Sequence, residues 1–230
     1  MAITFELAER LFTRGELNEL VRLVAEREPA AQTLEPNTRV IVAHAFAIMG
    51  EWNRACVLAE LECRSPTSPA VQSRAESIMG LVRKGQGNFS AAMRHFRSGL
   101  RVARESGNAE CIAWSHLHLF RFLIENHPID AVTAMVPDLR RVVTKAGLPQ
   151  ITAYLHLSIA VFDGYHGRID EALRHCDIAD ALLQIAPNVW MLANAHLNRA
   201  SIACVECKFK DAATYIQSAT DLIERILEVR

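Results

Sequence analysis

Three histidines at equal spacing are the residues of this sequence best placed to do chemistry. His116, His156 and His196 are 40 residues apart in succession, and each is followed by Leu. An imidazole can bind a metal, move a proton or hydrogen-bond to an anion. Metal ligands lie about 2 Å from the ion, whereas stacked helices lie about 10 Å apart. The spacing therefore excludes one shared metal. It leaves two readings: successive hydrogen bonds to an extended or anionic ligand, or packing residues repeated with the fold.

Further candidate ligand-binding residues lie on the same predicted helices. Trp114, Tyr154 and Asn194 each precede a histidine by two residues, and this row contributes to a groove if the histidines face one. Arg121 and Arg199 are candidates for binding a carboxylate, because a guanidinium group binds it through two parallel hydrogen bonds. A solvated surface position is the alternative for each arginine, as core or joint packing is for the aromatic residues.

Cys204 and Cys207 form a C-x-x-C pair, which invites a metal or redox interpretation. A structural zinc site usually needs a second pair of ligands at defined spacing, and the sequence offers none. A redox pair would normally begin a helix in a strand–helix context, which is also missing. We therefore interpret them as thiols of a helix and its turn. The six cysteines are predicted to be mostly small buried residues of a reducing compartment.

The sequence contains no motif of a known catalytic site. The stretch "GQGNFS" lacks the preceding strand and the following residues of a phosphate-binding loop, and H-E-x-x-H, G-x-S-x-G and acidic metal loops do not occur. The sequence therefore predicts a non-enzyme with no metal and no cofactor.

Composition favours helices and a soluble location. Half of the 230 residues are apolar and the net charge is −1, which argues against direct nucleic-acid binding by a broad basic face. Ala, Leu, Arg and Glu dominate, and these residues favour α-helix. No apolar stretch approaches the roughly 20 residues that a membrane span needs, and the N-terminus does not resemble a signal peptide. We expect a cytoplasmic protein without membrane contact.

Six copies of one helical pattern run along the chain. Each copy has an amphipathic helix, a tight turn and a second helix. Small residues occur where the two helices of a pair would cross closely, because larger side chains would push the backbones apart. The turns lie around Gly15, Gly50, Gly87, His127, Gly167 and Cys207. The small residues are Ala8, Ala43, Gly80, Ala160 and Ala200 before the turns, and Ala55, Ala92, Ala172 and Ala212 after them.

Proline and glycine mark the joints between copies, where a helix must stop or restart. These residues are Pro29, Pro36, Pro66, Pro69, Gly107, Gly147, Pro149 and Pro187. They predict a single helical-repeat domain over residues 1–230, with units at about 1–30, 36–66, 69–106, 108–147, 149–186 and 187–230.

The fourth copy departs from the pattern. Its turn has no Gly, and Phe120 and Val132 occupy the positions where small residues are usual. Pro137 lies inside its second predicted helix, where it removes a backbone donor and clashes with the preceding turn. We expect a kink or a split between Asn126 and Arg140.

The repeated pattern resembles the tetratricopeptide repeat (TPR). A small residue in the first helix, a Gly-containing turn and an early Ala in the second helix carry the resemblance, which covers nearly the whole chain. Two units match best: Gly80, Gly87, Ala92 and Phe96, and Ala160, Gly167, Ala172 and Ala179. The repeats are longer than the roughly 34 residues usual for the family, as in the sensor regions of bacterial regulators of the MalT type. The resemblance implies an all-α solenoid, a right-handed superhelix whose concave face binds a peptide, protein or small ligand.

Two functions follow from this resemblance. The first is a protein- or peptide-binding regulatory module, the ligand-sensing part of a bacterial signalling or transcription regulator. The alternative is a stand-alone assembly scaffold that does not switch. The predicted last helix, residues 211–230, carries an apolar stripe that includes Tyr215, Leu222 and Ile226, whereas repeat arrays normally end in a polar face. We therefore expect that this helix binds a second copy of the chain or a downstream effector domain. The alternative is a short terminal helix that is polar enough to need no partner.

Overall fold

A computed structural model describes residues 3–27, 33–126 and 129–227 of the chain. These residues form thirteen α-helices and no strand, which confirms the predicted all-α helical-repeat fold of about six helix pairs. The helices are α1 (Phe5–Arg14), α2 (Leu17–Arg27), α3 (Pro36–Ile48), α4 (Trp52–Arg64), α5 (Pro69–Gly85), α6 (Phe89–Ser106), α7 (Ala109–Asn126), α8 (Ile129–Thr133), α9 (Val136–Ala146), α10 (Pro149–Tyr165), α11 (Ile169–Ile185), α12 (Val189–Val205) and α13 (Phe209–Leu227).

The second part of the chain has a strict period in sequence. A first helix of a pair begins at residues 69, 109, 149 and 189, and a second helix at residues 89, 129, 169 and 209. Residues 40 apart therefore occupy the same place in successive pairs. This period allows the exposure and the contacts of one position to be compared between pairs.

Positive backbone φ angles explain the glycines of the turns. Gly15, Gly50, Gly87 and Gly167 have φ between 71° and 78°, a left-handed conformation in which a Cβ atom is disfavoured. Cys207 occupies the same place in the last pair with φ 59°. The turn predicted at His127 lies outside the described residues, as does the joint at Pro29.

The predicted small residues lie in the core at the close helix crossings. All nine are buried, and Gly80 shows why size matters there. A Cβ atom added to Gly80 would lie 2.5 Å from the Phe96 ring of α6. Because real Cβ contacts are never that short, α5 and α6 pack at their observed separation only with Gly at this position.

The predicted irregularity at Pro137 is confirmed. The second helix of the fourth pair is divided into α8 and α9 by a turn at residues 134–135, and Pro137 lies in the first turn of α9. A proline is tolerated there because the first backbone N–H groups of a helix have no acceptor within it. The division raises the number of helices above the predicted twelve.

The chain divides into two compact units, one up to Phe122 and one from Leu123 onward, with the division inside α7. In the first unit α3 packs on α4 and α5 packs on α6, and the core includes Phe46, Ile78 and Phe96. In the second unit α10 packs on α11 and α12 packs on α13, around Leu157 and Leu183.

Candidate functional site

The three equally spaced histidines occupy the same place on three first helices. His116, His156 and His196 each lie seven residues after the first residue of α7, α10 and α12. In the second unit, His156 contacts His175 of α11 and His196 contacts Tyr215 of α13, the ring centroids of the latter two being 6.2 Å apart. Both of these histidines therefore lie against the second helix of their own pair.

His156 and His175 share a short hydrogen bond between their Nδ1 atoms, 2.6 Å apart. One imidazole must donate and the other must accept, so at least one of the two rings is neutral. Burial, together with the neighbouring His175 and Arg140, lowers the pKa of His156 to about 4. Burial also lowers the pKa of His175, against an opposing effect of the Asp163 carboxylate. At neutral pH this pair is an uncharged hydrogen-bonding element.

His116 lies in the first unit and has a different partner. Its Nε2 atom is 3.1 Å from Nη2 of Arg104 at the end of α6. Because a guanidinium group only donates hydrogen bonds, Nε2 accepts and the proton of the neutral ring lies on Nδ1. His116 is buried, with 3% of its surface exposed. His196 is half-buried, and its Nδ1 atom is buried without a hydrogen-bond partner among the described residues.

The neighbouring row of candidates is largely engaged in packing. Tyr154 is buried and stacks on Trp190 of α12, with ring centroids 5.9 Å apart. The side-chain amide of Asn194 donates to the carbonyl oxygen of Trp190 at 2.8 Å. Trp114, in the first unit, is half-buried and its ring centroid lies 6.0 Å from that of His118.

Of the two candidate arginines, Arg199 already binds carboxylates of its own chain. Its Nη2 atom donates to Asp177 at 2.8 Å and to Asp180 at 2.6 Å, both on α11. Its side chain is only 13% exposed, so the alternative of a solvated surface position is wrong for Arg199. Burial raises the pKa of Asp180, while Arg199 and His196 act in the opposite direction. Arg121 is half-buried on α7.

The sequence did not predict a cluster of imidazole and aromatic rings that lies in the first unit. The ring centroids of His44 and His118 are 5.5 Å apart, and Phe12 lies 4.8 Å from His44. Burial lowers the pKa of both imidazoles, for His118 to about 4, and the positive charge of Arg74 acts in the same direction. His44 and His118 lie on α3 and α7, and no repeated spacing links them, so pattern comparison carries no signal for this contact.

The prediction for the cysteines is partly wrong. Cys176 is buried and Cys56, Cys63 and Cys111 are half-buried, but Cys204 and Cys207 are exposed. Both exposed thiols lie at the end of α12 and in the following turn, where no further helix pair of the described chain covers them. Across the ranges that the structure describes, no three His, Cys, Asp or Glu side chains converge in a set suited to a metal ion. Nor does any described helix combine the length and hydropathy needed to cross a lipid bilayer.

Comparison with known proteins identifies the fold. No protein-family model matches the chain, and no curated protein matches it. Three of the solved structures that are similar to the chain each match nearly its whole length. BtubC (BKLC) from P. vanneervenii is 14% identical with a TM-score of 0.58, and the match covers 97% of this chain and 93% of that one. The apo form of RapI is 12% identical with a TM-score of 0.61, covering 97% of both chains.

The third structure is a Rap protein complexed with Competence and Sporulation Factor. It is 12% identical with a TM-score of 0.57, and the match covers 98% of this chain and 64% of that one. Identities this low establish similarity of fold alone. The chain has a TPR-like helical-repeat fold of the kind found in the Rap proteins.

Proposed function

We propose that this chain is a protein- or peptide-binding regulatory module, the ligand-sensing part of a bacterial signalling or transcription regulator. Its open surface on α12 and α13 takes a helix of a protein partner, packed as α12 packs on α10 and α11. Binding of a ligand elsewhere on the module changes the affinity of this surface for the partner, which requires that the ligand bind the two states with different affinity.

One observation carries the proposal: two apolar positions are exposed only in the last pair. Leu117 and Leu157 are 0% and 1% exposed, whereas Leu197 at the same place on α12 is 41% exposed. Cys176 is fully buried in a cluster with Ile202 of α12, whereas its counterpart Ile216 on α13 is 48% exposed. In the preceding pair, the next first helix covers these positions. The surface of α12 and α13 therefore has the chemistry of a helix-packing interface and lacks its helix among the described residues.

Other exposed apolar residues do not indicate a surface that binds a partner. Ile185 is 75% exposed at the end of α11. Its counterparts at 40-residue spacing are Glu105 and Lys145, both exposed, so this position is exposed whatever residue occupies it. Scattered exposed apolar residues are normal on soluble proteins. Leu197 and Ile216 differ because the repeat itself predicts their burial.

The similar Rap structure supports the sensing part of the proposal. That protein is complexed with Competence and Sporulation Factor, and the structural match covers 98% of the present chain. A helical repeat of this fold therefore accommodates a bound factor. In this chain the half-buried histidines of the second unit, His156 and His196, stay candidate ligand-binding residues.

Site-specific cross-linking tests the partner surface. A photoreactive phenylalanine analogue is incorporated at Ile216 in cells that make the protein, and the cells are irradiated. We expect one discrete adduct, with a second copy or with one other protein, and we expect Leu197→Asp to abolish it. Light scattering of the purified chain then shows whether the partner is a second copy, since a dimer has twice the mass of 25.6 kDa.

The same analogue at Ile185 is the matched control, because that position is exposed in every pair. An identical adduct pattern from both positions, or no adduct from Ile216, would contradict the proposed interface. Solution scattering of the partner complex with and without an added ligand separates a regulator from a stand-alone scaffold, because only a regulator changes shape.

A further inference from the structure

Four arginines form a stripe along one side of α6. Arg94, Arg97, Arg101 and Arg104 follow at intervals of three, four and three residues. At 100° and about 1.5 Å per residue, they lie within an arc of about 80° and span about 15 Å of the helix. All four side chains are exposed. Like charges three or four residues apart destabilise an isolated helix by about 0.2–0.5 kcal/mol per pair, so nothing in α6 itself favours this arrangement.

Two of the four arginines in the stripe are not neutralised by the described residues. Arg101 pairs with Glu105 at 2.6 Å, but within the described ranges Arg94 and Arg97 form no ion pair and no hydrogen bond. Five exposed arginines on other helices bind a carboxylate three or four residues away: Arg22, Arg54, Arg64, Arg141 and Arg174. Arg94 and Arg97 have no such contact among the described residues, so their guanidinium groups are available to a ligand.

A cleft runs beside the stripe within the first unit. Its volume is about 530 Å³, and it is lined by Arg97, Leu100, Arg101, Arg104, Glu105 and Leu119. Leu100 and Leu119 are largely buried and form the apolar part of this lining. The cleft thus combines three guanidinium groups, one carboxylate and an apolar floor. This combination suits a ligand that carries several negative charges and at least one apolar group.

Arg97 and Arg104 of the stripe do not recur in the later copies. At a spacing of 80 residues, two periods along the chain, Arg97 corresponds to Asp177, Leu100 to Asp180 and Leu119 to Arg199. In the second unit these three residues form an ion-pair cluster in which one guanidinium group lies between two carboxylates. The cleft of the first unit has guanidinium groups on the second helix and lacks such carboxylates at the equivalent places. A ligand with carboxylates would therefore complete in the first unit an arrangement that the second unit makes internally.

We infer that the cleft between α6 and α7 binds an acidic segment of a partner protein, in which carboxylates alternate with apolar side chains. The carboxylates would pair with Arg97, Arg101 and Arg104, and an apolar side chain would contact Leu100 and Leu119. A span of 15 Å corresponds to about five residues of extended peptide. This site is in a different unit from the α12 and α13 surface, so an experiment can refute one of the two proposals without refuting the other.

A nucleic acid fits the same features less well. Stable nucleic-acid binding typically uses six or more phosphate contacts, whereas the stripe offers four guanidinium groups on a chain with net charge −1. Bases bind single-stranded sites by stacking on aromatic side chains, and the residues that line the cleft include none. The apolar floor instead suits an aliphatic side chain.

Fluorescence anisotropy with a defined probe tests the inference. The probe is a labelled ten-residue peptide in which Glu alternates with Leu, added to the full-length chain. We expect binding that weakens with rising salt, and a loss of affinity of about tenfold or more in Arg97→Glu and in Arg101→Glu, as charge-assisted hydrogen bonds predict. Circular dichroism detects whether the charge reversals impair folding. If they do, Arg97→Gln removes the charge without reversing it and should also weaken binding of the peptide.

Arg64→Glu is the matched control, because Arg64 is an exposed arginine of the same unit on α4. Its affinity for the probe should stay within about twofold of the unaltered chain. Equal weakening in Arg64→Glu and Arg97→Glu would overturn the inference, as would the absence of binding at about 1 mM probe. Displacement of the peptide by a short single-stranded oligonucleotide at lower concentration would also overturn it in favour of a nucleic-acid site.

Discussion

Mild acid should destabilise the first unit through His118. This side chain is 8% exposed and lies among the rings of His44, Phe96 and Trp114. Burial, with a smaller contribution from Arg74, lowers its pKa from 6.5 to about 4. The folded protein therefore holds this ring neutral at a pH where the unfolded chain protonates it. The contribution of the neutral His118 ring to the free energy of unfolding is complete above pH 6.5 and is lost as the pH falls towards 4.

The magnitude follows from the two pKa values. At pH 5 the unfolded state gains about 2 kcal/mol from protonating a histidine of pKa 6.5, and a folded histidine of pKa 4 gains almost nothing. His44 lies beside His118 and its pKa is lowered in the same direction, so its contribution adds. A loss of about 2 kcal/mol is a large part of the 5–15 kcal/mol typical of a folded domain.

Urea unfolding at pH 7.5 and at pH 5, followed by circular dichroism, measures the effect. Carboxylates also titrate in this range, so the informative quantity is the difference between the unaltered chain and a variant. His118→Phe keeps an aromatic ring and removes the titrating group, and His118→Gln removes the titrating group and keeps polarity. Both variants should lose about 2 kcal/mol less stability between the two pH values than the unaltered chain does. Equal pH dependence in all three proteins would refute the assignment of the effect to His118.

Three further predictions concern the framework. Gly80→Ala should destabilise the chain by about 1–3 kcal/mol because its Cβ would meet the Phe96 ring, and in a double-mutant cycle Phe96→Leu should relieve part of that cost. Arg39→Met should cost about 3–5 kcal/mol, because it leaves the buried carboxylate of Glu62 without its ion-pair partner. Cys207→Gly should raise the urea midpoint, because φ 59° disfavours a Cβ atom, whereas Cys207→Ala should leave the midpoint nearly unchanged.

The repeat architecture could be predicted because its signals are local. Gly87 and Gly167 mark turns with positive φ, and Ala92 and Ala172 mark close helix crossings. These requirements act within about 20 residues and recur in successive pairs, so each copy supports the interpretation of the others. Pro137 is informative for the same reason, since the effect of a proline on a helix needs no tertiary contact.

The partners of the candidate residues could not be predicted in the same way. The contact of His156 with His175 depends on which sides of α10 and α11 face each other, and the engagement of Arg199 by Asp177 depends on how α12 packs on α11. Such contacts follow from packing angles that sequence periodicity leaves open. A comparison of second helices would have helped, because His95 and His175 are 80 residues apart and each bonds a first-helix residue 19 positions earlier.

Departures from the repeat are better guides to function in this chain than adherence to it. The spacing of the histidines reproduces the period of the helices, and His156 makes its polar contact inside its own helix pair, as a packing residue does. Leu197 and Ile216 are exposed where the repeat predicts burial, and Arg97 stands where a later copy has a carboxylate. A packing requirement recurs with each copy, whereas a binding surface is needed once. The cross-linking and peptide-binding experiments therefore address the positions at which this chain differs from its own pattern.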